Sequence, residues 1–154
     1  MPSEEATRGE LYHDIGEFTF QFSQLEFTIR AVLGGALQLT ESQFDAVTAP
    51  YDFRVLCEVT SQIVQQAEAD LDGLHDRIRK TFKECVSLND DRVRIAHGTW
   101  TVGPGSHSAR HVSRGKLTAA IYFEKPGSIA ALAAEAQRLM GTIIEGFPKH
   151  RRGT

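Results

Sequence analysis

The sequence has little of what would cross-link, anchor or electrostatically disperse a chain. Cysteine is scarce: 2 in 154 residues. Two thiols cannot build a disulfide framework, and both Cys57 and Cys85 fall on the apolar stripes of helical segments, so they read as buried, reduced thiols. Proline is scarce too, at 5 residues, and this excludes collagen-like and proline-rich extended chains. Long apolar runs are absent, and none approaches the ~20 residues of a membrane-spanning helix. The first residues, Met1-Pro2-Ser3-Glu4-Glu5, have no apolar core and do not read as a signal peptide. A cytoplasmic protein is expected. An excess of basic charge is also missing. Lys plus Arg number 17 against 20 Asp plus Glu, for a net charge of −3. That excludes a protein coating nucleic acid by bulk charge, while leaving room for a local basic site.

Common catalytic signatures are missing as well. No Gly-x-Ser-x-Gly elbow occurs, and no Lys-Ser/Thr follows Gly103-Pro104-Gly105, so that segment is a turn and not a phosphate loop. His107 and His111 fall on a strand, where a four-residue spacing sets them about 13 Å apart. They make no metal pair, and no metal or cofactor is expected. His13, His75 and His150 are isolated and read as surface residues. No internal repeat or low-complexity segment is visible.

What is present is helical periodicity. A chain of this length reads as one domain, and it buries enough surface to need no covalent staple. The first ten residues are polar and read as frayed. From Leu11, the residues Ile15, Phe18, Phe22, Leu25, Ile29, Val32 and Ala36 recur at three- and four-residue steps, one apolar face over about seven turns. Phe20 and Phe27 form a second stripe, which suits a helix central to a bundle or shared with another subunit. Gly34-Gly35 weakens the helix end. Thr40 and Gln43 form a capping box for a short helix to about Val47. Asp52 caps another, with Phe53, Leu56, Cys57, Thr60, Ile63 and Val64 inward. Ala69 to Gly73 reads as a turn or a weak helix start.

A further long helix carries Leu71, Leu74, Ile78, Phe82 and Cys85, and continuing the count reaches Asn89, Arg92 and Ala96. The stripe turns polar without losing its period. A buried Asn and Arg are costly unless paired. His97-Gly98 ends this helix, with Gly98 suited to a left-handed cap. Alternating residues over about 99–123 predict a β meander. Ser128 then caps a last helix over about 128–147, with Ile129, Leu132, Ala136, Leu139, Ile143 and Phe147 on one face, followed by a basic tail at 148–154. The expected fold is mostly α: a four-helix-type bundle, helical over about 11–98, with a short β insertion before the C-terminal helix.

The stretch Arg92-Val93-Arg94-Ile95-Ala96-His97-Gly98 resembles the HEPN superfamily, whose members carry an Arg, four to six residues and a His near a helix C-terminus, often as Arg-Asn-x-x-Ala-His-Gly. Phe22-Ser23-Gln24-Leu25-Glu26 is similar to the Phe-Ser-x-Leu-Glu of a long first helix in such proteins. The resemblance covers roughly residues 11–100. It implies a helical bundle, usually a homodimer, in which two Arg–His pairs meet in one cleft. Active members are metal-independent ribonucleases, in which the RNA 2′-hydroxyl attacks the adjacent phosphate to leave a cyclic phosphate end. Others have lost catalysis and bind partners. Carried onto this chain, His97 transfers a proton and Arg92 holds the phosphate as charge builds. Val93 departs from the pattern, since a polar residue often follows the Arg in active members. On an ideal helix Arg92 and His97 lie about 140° apart, a geometry that a composite dimer site explains better than a monomer site.

Other residues fill supporting places. Glu26 reads as an orienting or structural carboxylate, and Asn89, Asp91 and Arg94 could supply polarity near Arg92. Each has a plainer role: Arg92 as an ion-pair partner of Glu26, Arg94 as the i+4 partner of Asp90, Asn89 satisfying buried backbone, His97 closing its helix. Arg79, Lys80 and Lys83 are candidate RNA contacts on a basic helix, against a simply solvated face. Three functions compete: a HEPN-type ribonuclease in defence, stress or toxin–antitoxin systems; a non-catalytic dimeric module binding a protein partner, an antitoxin or RNA; and a nucleotide-binding or nucleotide-modifying role with Arg92 on a phosphate.

Overall fold

The computed structural model describes residues 1–147, and the basic tail expected at 148–154, His150 included, lies outside the described residues. The fold is mostly α, as expected. The order is α1 (Glu4–Ala36), α2 (Glu41–Thr48), α3 (Phe53–Ala67), α4 (Leu74–His97), β1 (Thr99–Gly103), β2 (Ser106–Val112), β3 (Ala119–Tyr122) and α5 (Ser128–Gly146). The chain divides into two compact units. One comprises Met1–Phe22 and Asp90–Ala136; the other comprises Ser23–Asn89 and, among the described residues, those from Gln137 to Phe147.

In the first unit, the N-terminal residues are ordered into helix, which corrects the expectation of fraying. Ser3 Oγ accepts from the Ala6 amide at 3.1 Å and supplies the N-cap. Glu4 and Glu5 meet the positive end of the helix, and Arg8 pairs with Glu4 one turn on. Thr7 is buried, and its hydroxyl accepts from the Gly105 amide at 2.8 Å, tying the β1–β2 turn to the first turns of α1. The sheet is antiparallel in the order β1-β2-β3. Thr99 pairs with Arg110, which pairs with Ile121, and these three are exposed; Trp100, Ala109 and Tyr122 occupy the other face. Leu117 and Ile121 are exposed, so the inward residues of the last strand are Ala120 and Tyr122.

Gly98 does not adopt a left-handed conformation, against the sequence expectation. Its amide donates to Arg94 O at 2.8 Å. A Cβ at this position would run into that same carbonyl oxygen and come within 3.1 Å of Ala109 Cβ. Glycine is needed here so that β2 can approach the end of α4. We expect Gly98→Val to cost about 1–3 kcal/mol, as overpacking does. Urea denaturation checks this, and a loss below about 0.5 kcal/mol contradicts the close approach.

In the second unit, Asp52 Oδ1 accepts from the Val55 amide at 2.9 Å, and Gln43 Oε1 accepts from the Thr40 amide at 2.9 Å, so both expected N-terminal signals are in place. Leu25, Ile29 and Leu33 of α1, Leu56, Cys57 and Val64 of α3, and Ile78, Phe82 and Cys85 of α4 are buried. Gly34 leaves room for the Phe44 ring, which would lie 2.8 Å from an added Cβ. Leu71 is 69% exposed and precedes α4, because the chain turns at Asp72 and Gly73, both with positive φ. His75 is half-buried and bonds to Glu68 O at 2.8 Å, closing that turn; it is no isolated surface residue. Cys57 and Cys85 are free buried thiols, and the hydrogen bond between them, with burial, pushes the Cys57 thiol well above its ordinary range.

In α5, Ile129, Ala136, Leu139 and Ile143 are buried as expected and Leu132 is half-buried; Phe147, just past the end of the helix, is buried too. Ser128 does not cap through its side chain: its hydroxyl is buried without a hydrogen-bond partner.

Candidate functional site

The end of α4 carries the residues singled out from the sequence, and its packing differs from the simple count. The apolar stripe runs from Cys85 to Leu88 and resumes at Ile95, while Arg92 is half-buried and Ala96 exposed. Stepping by three from Cys85 rather than four restores an apolar residue. The polar turn thus lies beside the buried stripe rather than within it.

Arg92 sits over the ring of Phe22, with its guanidinium carbon 5.3 Å from the centroid. Phe22 is itself buried and meets Phe18 edge-on at 5.8 Å. The ring of Phe22 favours the cation stacked on it and fixes the plane of the guanidinium. Arg94 is placed similarly. It lies 4.3 Å from the centroid of Tyr122 and bonds Asp91 Oδ1 at 3.1 Å. Its i+3 partner is therefore Asp91, and the expected pairing with Asp90 is corrected. Side chains three apart on a helix are neighbours as much as those four apart, and spacing alone does not choose between them.

His97 is the last residue of α4 and is exposed. The next turn of chain is fixed by Trp100, whose indole N–H donates to Ile95 O at 3.2 Å. Trp100 stacks on Phe123 at 5.9 Å and meets His107 edge-on at 5.9 Å. Tyr122 and Phe123 are also in contact, so the Arg94 platform belongs to an aromatic cluster that joins the sheet to the helix end. Phe22 and Tyr122 are neighbours of the two arginines that sequence reasoning did not place there. Phe22 is legible as core and as the start of the Phe-Ser-x-Leu-Glu stretch, but not as the ring beneath Arg92, and the β3 residue beneath Arg94 depends on a register that periodicity does not supply.

Burial raises the Asp91 carboxyl above its ordinary pKa, and the Arg94 bond opposes that rise only in part. In the folded state Asp91 then binds its proton more tightly than in the unfolded chain. Its contribution to stability is greatest at acid pH and falls as pH rises through and above the ordinary carboxylate range. We expect Asp91→Asn, which keeps an acceptor for Arg94, to remove this part of the pH dependence. Urea midpoints across a pH series check it, and an unchanged slope contradicts it.

Of the remaining candidates, Glu26, Asn89, Arg79, Lys80 and Lys83 lie in the other unit. Glu26 pairs with Arg30 at 2.9 Å, and Arg30 also donates to Thr48 O and, at 3.5 Å, to Tyr51 O. Glu26 thereby orients an arginine that satisfies carbonyls at the end of α2, which is a structural task. Asn89 is half-buried. Arg79 bonds Gln65 and Asp76, and with Lys83 it lines a cleft between α3 and α4; Lys80 is exposed but is no part of that lining. Phe20 and Phe27 are 59% and 60% exposed. No group of three or more His, Cys, Asp or Glu side chains suited to a metal occurs among the described residues, and no helix among them is long and apolar enough to cross a membrane.

The sequence matches no family model, and comparisons with curated proteins and with solved structures gave no match.

Proposed function

We propose that this chain is a HEPN-like, metal-independent endoribonuclease acting as a homodimer, with Arg92 and His97 as its catalytic residues. The observation that carries this reading is the contrast between the two side chains. Arg92 is held over Phe22, half-buried, and His97 is exposed at the helix terminus five residues on. A positioned guanidinium suits a phosphate that gains charge during reaction. An accessible imidazole suits proton transfer. The RNA 2′-oxygen attacks the adjacent phosphorus, its proton leaves to a base, and the departing 5′-oxygen takes a proton. The products are a 2′,3′-cyclic phosphate and a 5′-hydroxyl. His97 carries one of these proton transfers, and its counterpart in a second copy offers a group for the other. Asp91 and Arg94 hold each other beside this segment as supporting groups. The exposed aromatics Phe20 and Phe27 on α1 support a dimer seam. Defence, stress or toxin–antitoxin systems are the settings the reading suits, and in the last of these the protein partner is an antitoxin.

The alternative is a catalytically inactive dimeric module that binds a protein partner or RNA. Its support is that Arg92 is packed on Phe22 and is followed by the apolar Val93. Arg92→Lys and Arg92→Ala separate the readings. Under the ribonuclease reading, both lose RNA cleavage in EDTA, and Arg92→Ala costs about the 0.5–2 kcal/mol of a cation–π contact. Under the alternative, the unmodified protein leaves RNA intact, and Arg92→Ala is felt only as lost stability.

A further inference from the structure

An open cleft of about 560 Å³ lies between α3 and α4, inside the second unit. Roughly 300–1,000 Å³ is the size range of small-molecule sites. Part of its wall is apolar, with Cys57 and Phe82 buried and Val86 half-buried. Its rim is charged. Arg54, Arg79 and Lys83 line it, all exposed, together with Glu58, and Asp76 pairs with Arg79 beside it.

The rim also contains a built element. Arg79 Nη1 donates to Gln65 Oε1 at 2.7 Å. Gln65 in turn donates through Nε2 to Ser61 O at 3.1 Å and to Ser61 Oγ at 3.0 Å. The arginine of α4 is thereby fixed against α3 by a chain that starts at another cleft residue, Ser61. Its second arm reaches Asp76. A guanidinium has five N–H donors, so these contacts leave others for a ligand.

We infer that this cleft binds a small organic anion with an apolar body, its charged group at Arg54, Arg79 and Lys83 and its body on Phe82, Val86 and the Cys57 wall. A small ligand fits better than an RNA strand. The basic residues border an apolar wall, and Lys80, which would extend them into a track along α4, is not part of the lining. The shared chemistry covers a nucleoside monophosphate and a medium-chain carboxylate. The inference does not rest on the ribonuclease reading, since it involves neither Arg92 nor His97.

The test uses the full chain and the fluorescent aryl sulfonate 1-anilinonaphthalene-8-sulfonate. The expected result is saturable binding at one site per chain. Lys83→Glu should weaken it by about tenfold or more, because it reverses a charge at the rim. Gln62→Trp should abolish it by filling the cleft without changing charge. Both positions are exposed, so circular dichroism melts should match those of the unmodified protein. Displacement by uridine monophosphate identifies a phosphate ligand, and displacement by decanoate a carboxylate. Absence of saturable binding, or binding indifferent to both substitutions, overturns the inference. Tighter binding of a 12-nucleotide RNA than of either small anion overturns it too.

Discussion

Phe18→Ala will lower the stability of the protein by about 3–5 kcal/mol, the range for truncating a buried aromatic. Phe18 is 1% exposed, and its ring meets Phe22 edge-on at an interplanar angle of 61°. The loss combines transfer free energy, the cavity left in the core, and the aromatic contact itself. Against a typical total of about 5–15 kcal/mol, it removes a large share. It also reaches the site. Phe22 is the ring beneath Arg92, and Phe18 is what holds that ring from the side. Phe18→Leu refills most of the volume and should recover stability before it recovers the Arg92 geometry. Urea unfolding of the three proteins measures this. A loss below about 1.5 kcal/mol for Phe18→Ala contradicts the packing described.

His97→Ala will reduce RNA cleavage by about 10²–10⁴-fold, the usual contribution of a positioned acid or base. Stability should change by no more than about 0.5 kcal/mol, because the side chain is exposed at a helix end. That separation makes the variant informative. Arg92 is half-buried on a ring, and its removal mixes structural with chemical loss, whereas His97 has little packing to lose. Matched melting curves beside single-turnover cleavage rates provide the measurement. A His97→Ala protein that unfolds contradicts the exposed placement of the side chain, and one that cleaves as fast as the unmodified protein removes His97 from the chemistry.

The elements of the fold were legible where one residue type decides one local geometry. Asp52 and the Thr40–Gln43 pair announce helix starts that the hydrogen bonds bear out. The Gly103-Pro104-Gly105 turn and the alternation after it announce the three-stranded sheet. The N-terminal helix start was misread because its signals are polar: Ser3 at the cap and Glu4 with Arg8 one turn apart look like a solvated tail until Thr7 meets Gly105. Gly98 was read by a general preference for left-handed caps, but its cause is the approach of Ala109, a residue on another element.

The candidate site was legible as residues and not as contacts. Arg92, Arg94 and His97 can be picked out from spacing and the resemblance they carry. Which ring each arginine would lie on could not be, because Phe22 and Tyr122 are distant in sequence and their positions depend on helix phase and strand register. Glu26 shows the same limit in reverse. Its partner Arg30 lies one turn away on the same helix, a local solution in competition with any longer-range pairing. The cleft between α3 and α4 gave still less sign of itself. Arg79 and Lys83 read as basic residues on a helix face, and only the fold sets Arg54, Ser61 and Glu58 opposite them.

The most direct test of the ribonuclease reading is an end-group analysis of RNA incubated with purified protein in excess EDTA. Mixed transfer and messenger RNA are the substrates, and folded His97→Ala is the companion sample. The account predicts fragments with 2′,3′-cyclic phosphate and 5′-hydroxyl ends from the unmodified protein and none above background from His97→Ala. RNA left intact by the unmodified protein, or equal cleavage by both, would contradict it.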